Sequence, residues 1–143
     1  MKDPTNEVYE AIFSLLDGNV TISGTTIPVY SVMPDSVAAG YVYIGTFTGN
    51  NADIKDRFMT DGNVTIQVVI PVNGASGSNK LINQYNSKVL ELLKPTVTSS
   101  LDLSPLFNNV YFYSQNITDF TTLFDNDREM RKVTQLSLQI EEL

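Results

Sequence analysis

The sequence predicts an α+β fold, a two-layer sandwich in which two helices pack on one face of a mostly antiparallel sheet. Three observations predict it. Two segments repeat apolar residues at three- and four-residue spacing, the period of a helix with one buried stripe. Other segments alternate apolar with polar residues, most strictly Val64, Ile66, Val68, Ile70 and Val72, the period of a strand with one buried face. Turn signals separate neighbouring strands, and tight turns join antiparallel partners. With no internal repeat and no linker-like stretch, residues 1–143 read as a single domain.

The first helix is expected over residues 4–17. Asp3 can cap free N–H groups, Pro4 suits the first helical position, and Glu7 adds a favourable charge in the first turn. Val8, Ile12, Leu15 and Leu16 share a face that Tyr9 and Phe13 widen, and Gly18 stops the helix. Residues 19–33 read as strands around a Ser23-Gly24 turn, with Pro28 marking an edge strand. Pro34-Asp35-Ser36 begins a short loop, and Tyr41 to Phe47 forms the next strand. Residues 48–62 are polar and charged, with Asp61-Gly62 as a hairpin-type turn, and are expected to form a projecting arm or long loop. After the alternating strand, a Gly/Ser-rich link leads to a second helix over 79–93. Ser78 is its expected cap, and Leu81, Tyr85, Val89, Leu92 and Leu93 form its stripe before Pro95. Val110 to Tyr113 is a strand, residues 114–128 a second long loop, and a last strand buries Leu136, Leu138 and Ile140.

Composition narrows the chemistry. The chain has no cysteine and no histidine, which excludes disulfides and thiolate metal sites and removes the commonest general base. An enzyme built on this chain would work through carboxylates, Lys, Arg and Tyr, so the expectation is a non-enzymatic protein without a cofactor or metal. A net charge of −7 repels phosphate backbones and argues against intimate nucleic-acid binding. The opening MKDPTNEVYE has no apolar core, so a signal peptide is not expected. No apolar run approaches the roughly 20 residues that span a bilayer, and no membrane partner is expected.

Motifs that carry chemistry fail on inspection. VVIPVNGASGSNKL has the strand, glycine-rich turn, lysine and helix of a phosphate loop, but Leu81 stands where a Ser or Thr should follow the lysine. Asp125-Asn126-Asp127 with Glu129 suggests a calcium loop, but the sixth position is Met130 and the twelfth Leu136. A solvated polar turn explains it better. Asn19, Asn63 and Asn116 head Asn-x-Thr triplets that read more simply as turn-flanking Asn and strand Thr. The carboxylates Asp53, Asp56, Asp102, Asp119, Glu141 and Glu142 are scattered, as solvated charges usually are. Two features remain. The charged arm carries Asp53, Lys55, Asp56 and Arg57 beside Phe58, a mixture suited to pairing between subunits. The second long loop sets Ile117, Phe120, Leu123 and Phe124 among Asp, Thr and Asn, where they either seal the core or form a contact patch.

The order of elements resembles the phage tail-completion family, also described as tail-terminator or head-to-tail joining proteins. An N-terminal helix (EVYEAIFSLL) leads to IPVYSVMPDSVAAGYVYIG, in which a strand ending near a proline is followed by a short loop and an aromatic-containing strand. The charged stretch NNADIKDRFMTDG precedes the alternating strand VTIQVVIPV, and the helix NKLINQYNSKVLELL follows. VYFYSQ and KVTQLSLQIEEL close the chain around a variable loop. The resemblance covers nearly the whole chain and brings no catalytic residue with it. It implies a virion structural protein that forms a ring, commonly a hexamer, at the tail end or the head–tail neck junction. Its implied partners are copies of itself, the tail tube protein and neck or connector proteins, with DNA only passing through the lumen. Its implied location is the tail or neck of the virion, and the host cytoplasm during assembly. The other reading open at this point is an adaptor that docks a partner through its long loops without closing a ring.

Overall fold

The computed structural model describes residues 1–34, 40–72, 80–124 and 127–143, and the side chains of Val72, Gln115 and residues 120–128 lie outside that description. Helix α1 spans Thr5–Leu16. Asp3 Oδ1 accepts hydrogen bonds from the Thr5 N–H (2.9 Å) and hydroxyl (2.5 Å). The chain leaves the helix through Gly18 at φ 75°. The hairpin β1 (Thr21–Ile22) and β2 (Thr25–Thr26) turns at Ser23-Gly24, both with positive φ, the geometry a two-residue hairpin loop demands.

The main sheet adds β3 (Val29–Tyr30), β4 (Tyr41–Asn51), β5 (Met59–Val72), β6 (Phe107–Phe124) and β7 (Asp127–Glu142), in the order β3-β4-β5-β7-β6. All pairings are antiparallel except β3 on β4. β3 is an edge strand, as Pro28 predicts, because proline has no N–H to give a ladder. Helix α2 spans Lys80–Leu93. It lies on β5 and β7, α1 lies on β4, and the two helices touch each other, so both cover one face. Val8, Ile12 and Leu16 from α1 and Ile82, Tyr85, Val89 and Leu93 from α2 meet Val42, Ile44, Val64, Ile66, Val68, Leu136, Leu138 and Ile140 in one cluster. The residues of β4, β5 and β7 in that cluster are all even-numbered, the period-two signature of a sheet buried on one side.

Several expectations are corrected. The stretch 48–62 is not a long loop. β4 runs on to Asn51, β5 begins at Met59, and Asp61 and Gly62 lie inside β5 opposite Asn50 and Gly49. Gly62 serves close packing rather than a turn, since a Cβ there would fall 2.5 Å from the Phe47 ring. Residues 114–128 are not a loop either. β6 continues to Phe124, with Ile117 opposite Thr134, Phe120 opposite Arg131 and Phe124 opposite Asp127. Register shifts between Asn109 and Tyr111, and between Ser114 and Asn116, break the alternation that would have marked one long strand. The helix stripes are also rotated slightly. Leu81 and Leu15 are exposed, and Ile82 takes the core position on α2. The expected loop at 35–36, the Ser78 cap and the turn at 125–126 lie outside the described residues.

One side chain decides how the β4 margin ends. β3 covers β4 only at Val42 and Tyr43. Beyond that, the Tyr9 hydroxyl donates to Gly45 O (2.8 Å) and accepts from the Phe47 N–H (3.1 Å), at the bulge between Ile44 and Phe47. Replacing Tyr9 with Phe keeps the ring and removes both bonds. Leaving a part-buried donor and acceptor unmatched costs about 1–3 kcal/mol. A urea titration of the variant should show that loss with an unchanged slope, whereas an unshifted midpoint would mean that water replaces the hydroxyl.

Candidate assembly surfaces

Among the described residues the hollows are open surfaces rather than an enclosed cleft. Among the described residues no group of three or more Asp or Glu side chains could hold a metal ion. The carboxyls pulled below their ordinary range are turn features: the Thr5 hydroxyl and then its N–H hold Asp3 down, and Ser104 does the same to Asp102. Burial raises the Tyr85 phenol, whose hydroxyl donates to Thr25 O (3.2 Å) and fastens α2 to the small hairpin. None of these groups faces another as an acid–base pair would.

The charged arm is in fact the turn between β4 and β5, closed by an Ile54–Arg57 bridge. Asp53 is held within it, accepting from the Met59 N–H (2.9 Å) and from Asn51 Nδ2 (2.8 Å). Arg57 makes an ion pair with Glu141 of its own chain, so it is not free to pair across an interface without giving that bond up. The guanidinium is exposed, and such pairs are worth only about 0–1 kcal/mol. No ion pair among the described residues engages Lys55 or Asp56, which stand at the tip. Phe58 is half exposed, and its carbonyl accepts from the Glu142 N–H (3.0 Å). Sequence reasoning missed its neighbours: Ile54, Met1 and Leu143 are exposed at the same end. The terminal amino group approaches Glu142 (3.9 Å), and the Leu143 N–H donates to Leu106 O (3.0 Å). Ile54 and Phe58 lie four apart in a polar run, and that was the available signal. Exposed apolar side chains gathered at one end of a molecule mark a contact surface better than the same residues scattered.

The second set does not join the first. Met59 pairs with Glu141 at one end of β5 and Val72 with Arg128 at the other, so the turn and the tip of the β6–β7 hairpin lie about 40 Å apart at ~3.3 Å per residue. Ile117 lies midway along β6 and is half exposed, while the side chains of Phe120, Leu123 and Phe124 lie outside the described residues. β6 is the sheet's other margin and, among the described residues, is paired by β7 alone. On the face away from the helices, Tyr111 and Tyr113 stand edge to face with centroids 5.2 Å apart. They border a shallow hollow with Asp61, Asn63, Ser137 and Gln139. No described helix covers this face.

Comparison with known proteins adds one finding. No family model matches the chain, and no curated protein matches it. A chain in the solved virion of a native gene transfer agent (GTA) particle superposes with a TM-score of 0.69, covering 97% of this chain and 99% of that one at 17% identity. The likeness is one of fold. It extends over nearly the whole of both chains.

Proposed function

We propose that this chain is a structural protein of a phage or prophage particle, one that forms a ring at the tail end or the tail–head neck junction and there terminates the tail tube or joins it to the head. The observation that carries the proposal is the likeness of fold to a chain of a GTA virion, over 97% of this chain and 99% of that one. The surfaces support it. One end of the sheet gathers exposed apolar side chains around Lys55, Asp56 and Phe58, and among the described residues β6 has no outer partner at its margin. A ring subunit needs lateral contacts to its copies and axial contacts to the parts above and below. The sheet margins suit the first, and the turn end, lying along the strand axis, suits the second. On this reading Asp53, Lys55, Asp56, Arg57 and Phe58 meet the tail tube or connector protein, while β6 with Ile117, Phe120, Leu123 and Phe124 serves the ring. The protein needs no catalytic residue and no cofactor for this work. DNA is a passing occupant of the lumen, and an acidic subunit repels it.

Native mass spectrometry of the purified chain across a concentration series, with electron microscopy of the same sample, tests the ring. The expected result is a closed oligomer, six copies by the family resemblance, with a central channel. A chain that remains monomeric at all concentrations overturns the ring.

A further inference from the structure

We infer that the ring closes through a heterologous contact in which helix α1 of one copy lies along β6 and the flank of α2 of the next; the inference rests on the ring reading and names its lateral surface. The two margins of the sheet are unlike. At the β4 margin the Tyr9 hydroxyl occupies Gly45 O and the Phe47 N–H, so a neighbour approaching there meets helix rather than open strand. One step outward from Tyr9, α1 presents Glu10 and Phe13, three residues apart on one side of the helix, and the exposed Asp17 follows directly after its last residue. Phe13 is 39% exposed, and neither Lys nor Arg occurs in the helix.

The β6 margin has the opposite character. Ile117 is 49% exposed, opposite the buried Thr134 and so on the helix side of a strand that has no outer partner among the described residues. Cations stand on the same side. Lys94 donates to Phe112 O and sits 5.7 Å from the centre of that ring. Lys132 reaches Asn83 Oδ1 (2.6 Å) and Asp119 (3.4 Å). Helix α2 carries Lys80 and Lys88 against one acid, Glu91. An aromatic ring between carboxylates on one margin therefore complements a branched aliphatic backed by lysines on the other. A two-fold contact through α1 would set carboxylates against carboxylates. Joining unlike margins repeats head to tail, and such a contact ends in a closed ring or an open filament. The charges orient the approach and make assembly salt-sensitive, while Phe13 and Ile117 supply the buried centre.

The test uses Phe13→Asp and Ile117→Asp in the full chain. Both positions are exposed, so circular dichroism melting of each variant should stay within a few degrees of wild type. Each variant alone should lose the ring and run as a monomer. Mixed in equal amounts they should give a 1:1 dimer and nothing larger, because each retains the margin that the other lacks. Persistence of the wild-type oligomer in either variant overturns this assignment and leaves the ring reading in place. Loss of assembly in Ile117→Asp but not in Phe13→Asp overturns it in favour of two-fold β6–β6 pairing. A wild-type chain that never assembles overturns the ring reading instead.

Discussion

Replacing Ile66 with Ala should lower the free energy of unfolding by about 3–5 kcal/mol, the range for emptying a well-packed aliphatic site. Ile66 is completely buried and sits in β5, which has a strand on each side: it pairs with Ile44 and with Thr134. Both helices contribute to the cluster around it, and neither can settle into the gap without moving the other. The matched control is Ile117→Ala on the outer strand, a change expected to stay within about 0.5 kcal/mol. Guanidinium titrations of the two variants read this contrast directly. Equal losses would mean that Ile117 is covered in the isolated chain, and a loss under about 1 kcal/mol at Ile66 would mean that the core collapses easily.

Asn109→Ala should cost about 2–4 kcal/mol for a different reason: several buried polar groups lose their partner together, at roughly 1–3 kcal/mol for each one left unmatched. Asn109 is buried beside the first register shift of β6. Its Oδ1 accepts from the Leu101 N–H (2.9 Å), and its Nδ2 donates to Tyr111 O (2.7 Å) and Gln139 O (3.2 Å). One amide thus ties the segment that follows α2 to both strands of the hairpin. Asn109→Asp keeps the acceptor, loses the donors and sets a carboxylate near two carbonyls, so it should be at least as unstable at neutral pH and recover partly in acid as the carboxyl protonates. Thermal melts of both variants at neutral and acidic pH check this. A stable Asp variant at neutral pH would mean that water enters the bulge.

The candidate surfaces were partly legible in the residues. The mixed charge of the turn stood out, because Asp53, Lys55, Asp56 and Arg57 set both signs of charge side by side in a polar stretch. That Arg57 is paired to Glu141 was not legible, because the two are brought together only by the β5–β7 ladder across 84 residues of chain. Ile117, Phe120, Leu123 and Phe124 are legible as apolar residues in a polar setting, but that setting reads as a loop where the backbone is a strand. Exposed strands carry polar residues on both sides, and nothing local distinguishes them from a polar connection.

The sequence by itself determined the elements whose periodicity is complete within one segment. Both helices, the alternating β5, the edge role of β3, the hairpin at Ser23-Gly24 and the α+β class follow from spacing and turn chemistry that neighbouring residues dictate. The absence of Cys and His likewise bounded the chemistry before any fold was known. What only the tertiary structure decided was the length and pairing of β4, β6 and β7, the plugging of one sheet margin by Tyr9 and the opening of the other, and the gathering of Met1, Ile54, Phe58 and Leu143 at one end. Strand pairing is non-local: backbone groups bond across tens of residues, and a bulge such as that at Asn109 moves the apolar period from one side of the strand to the other without a local mark.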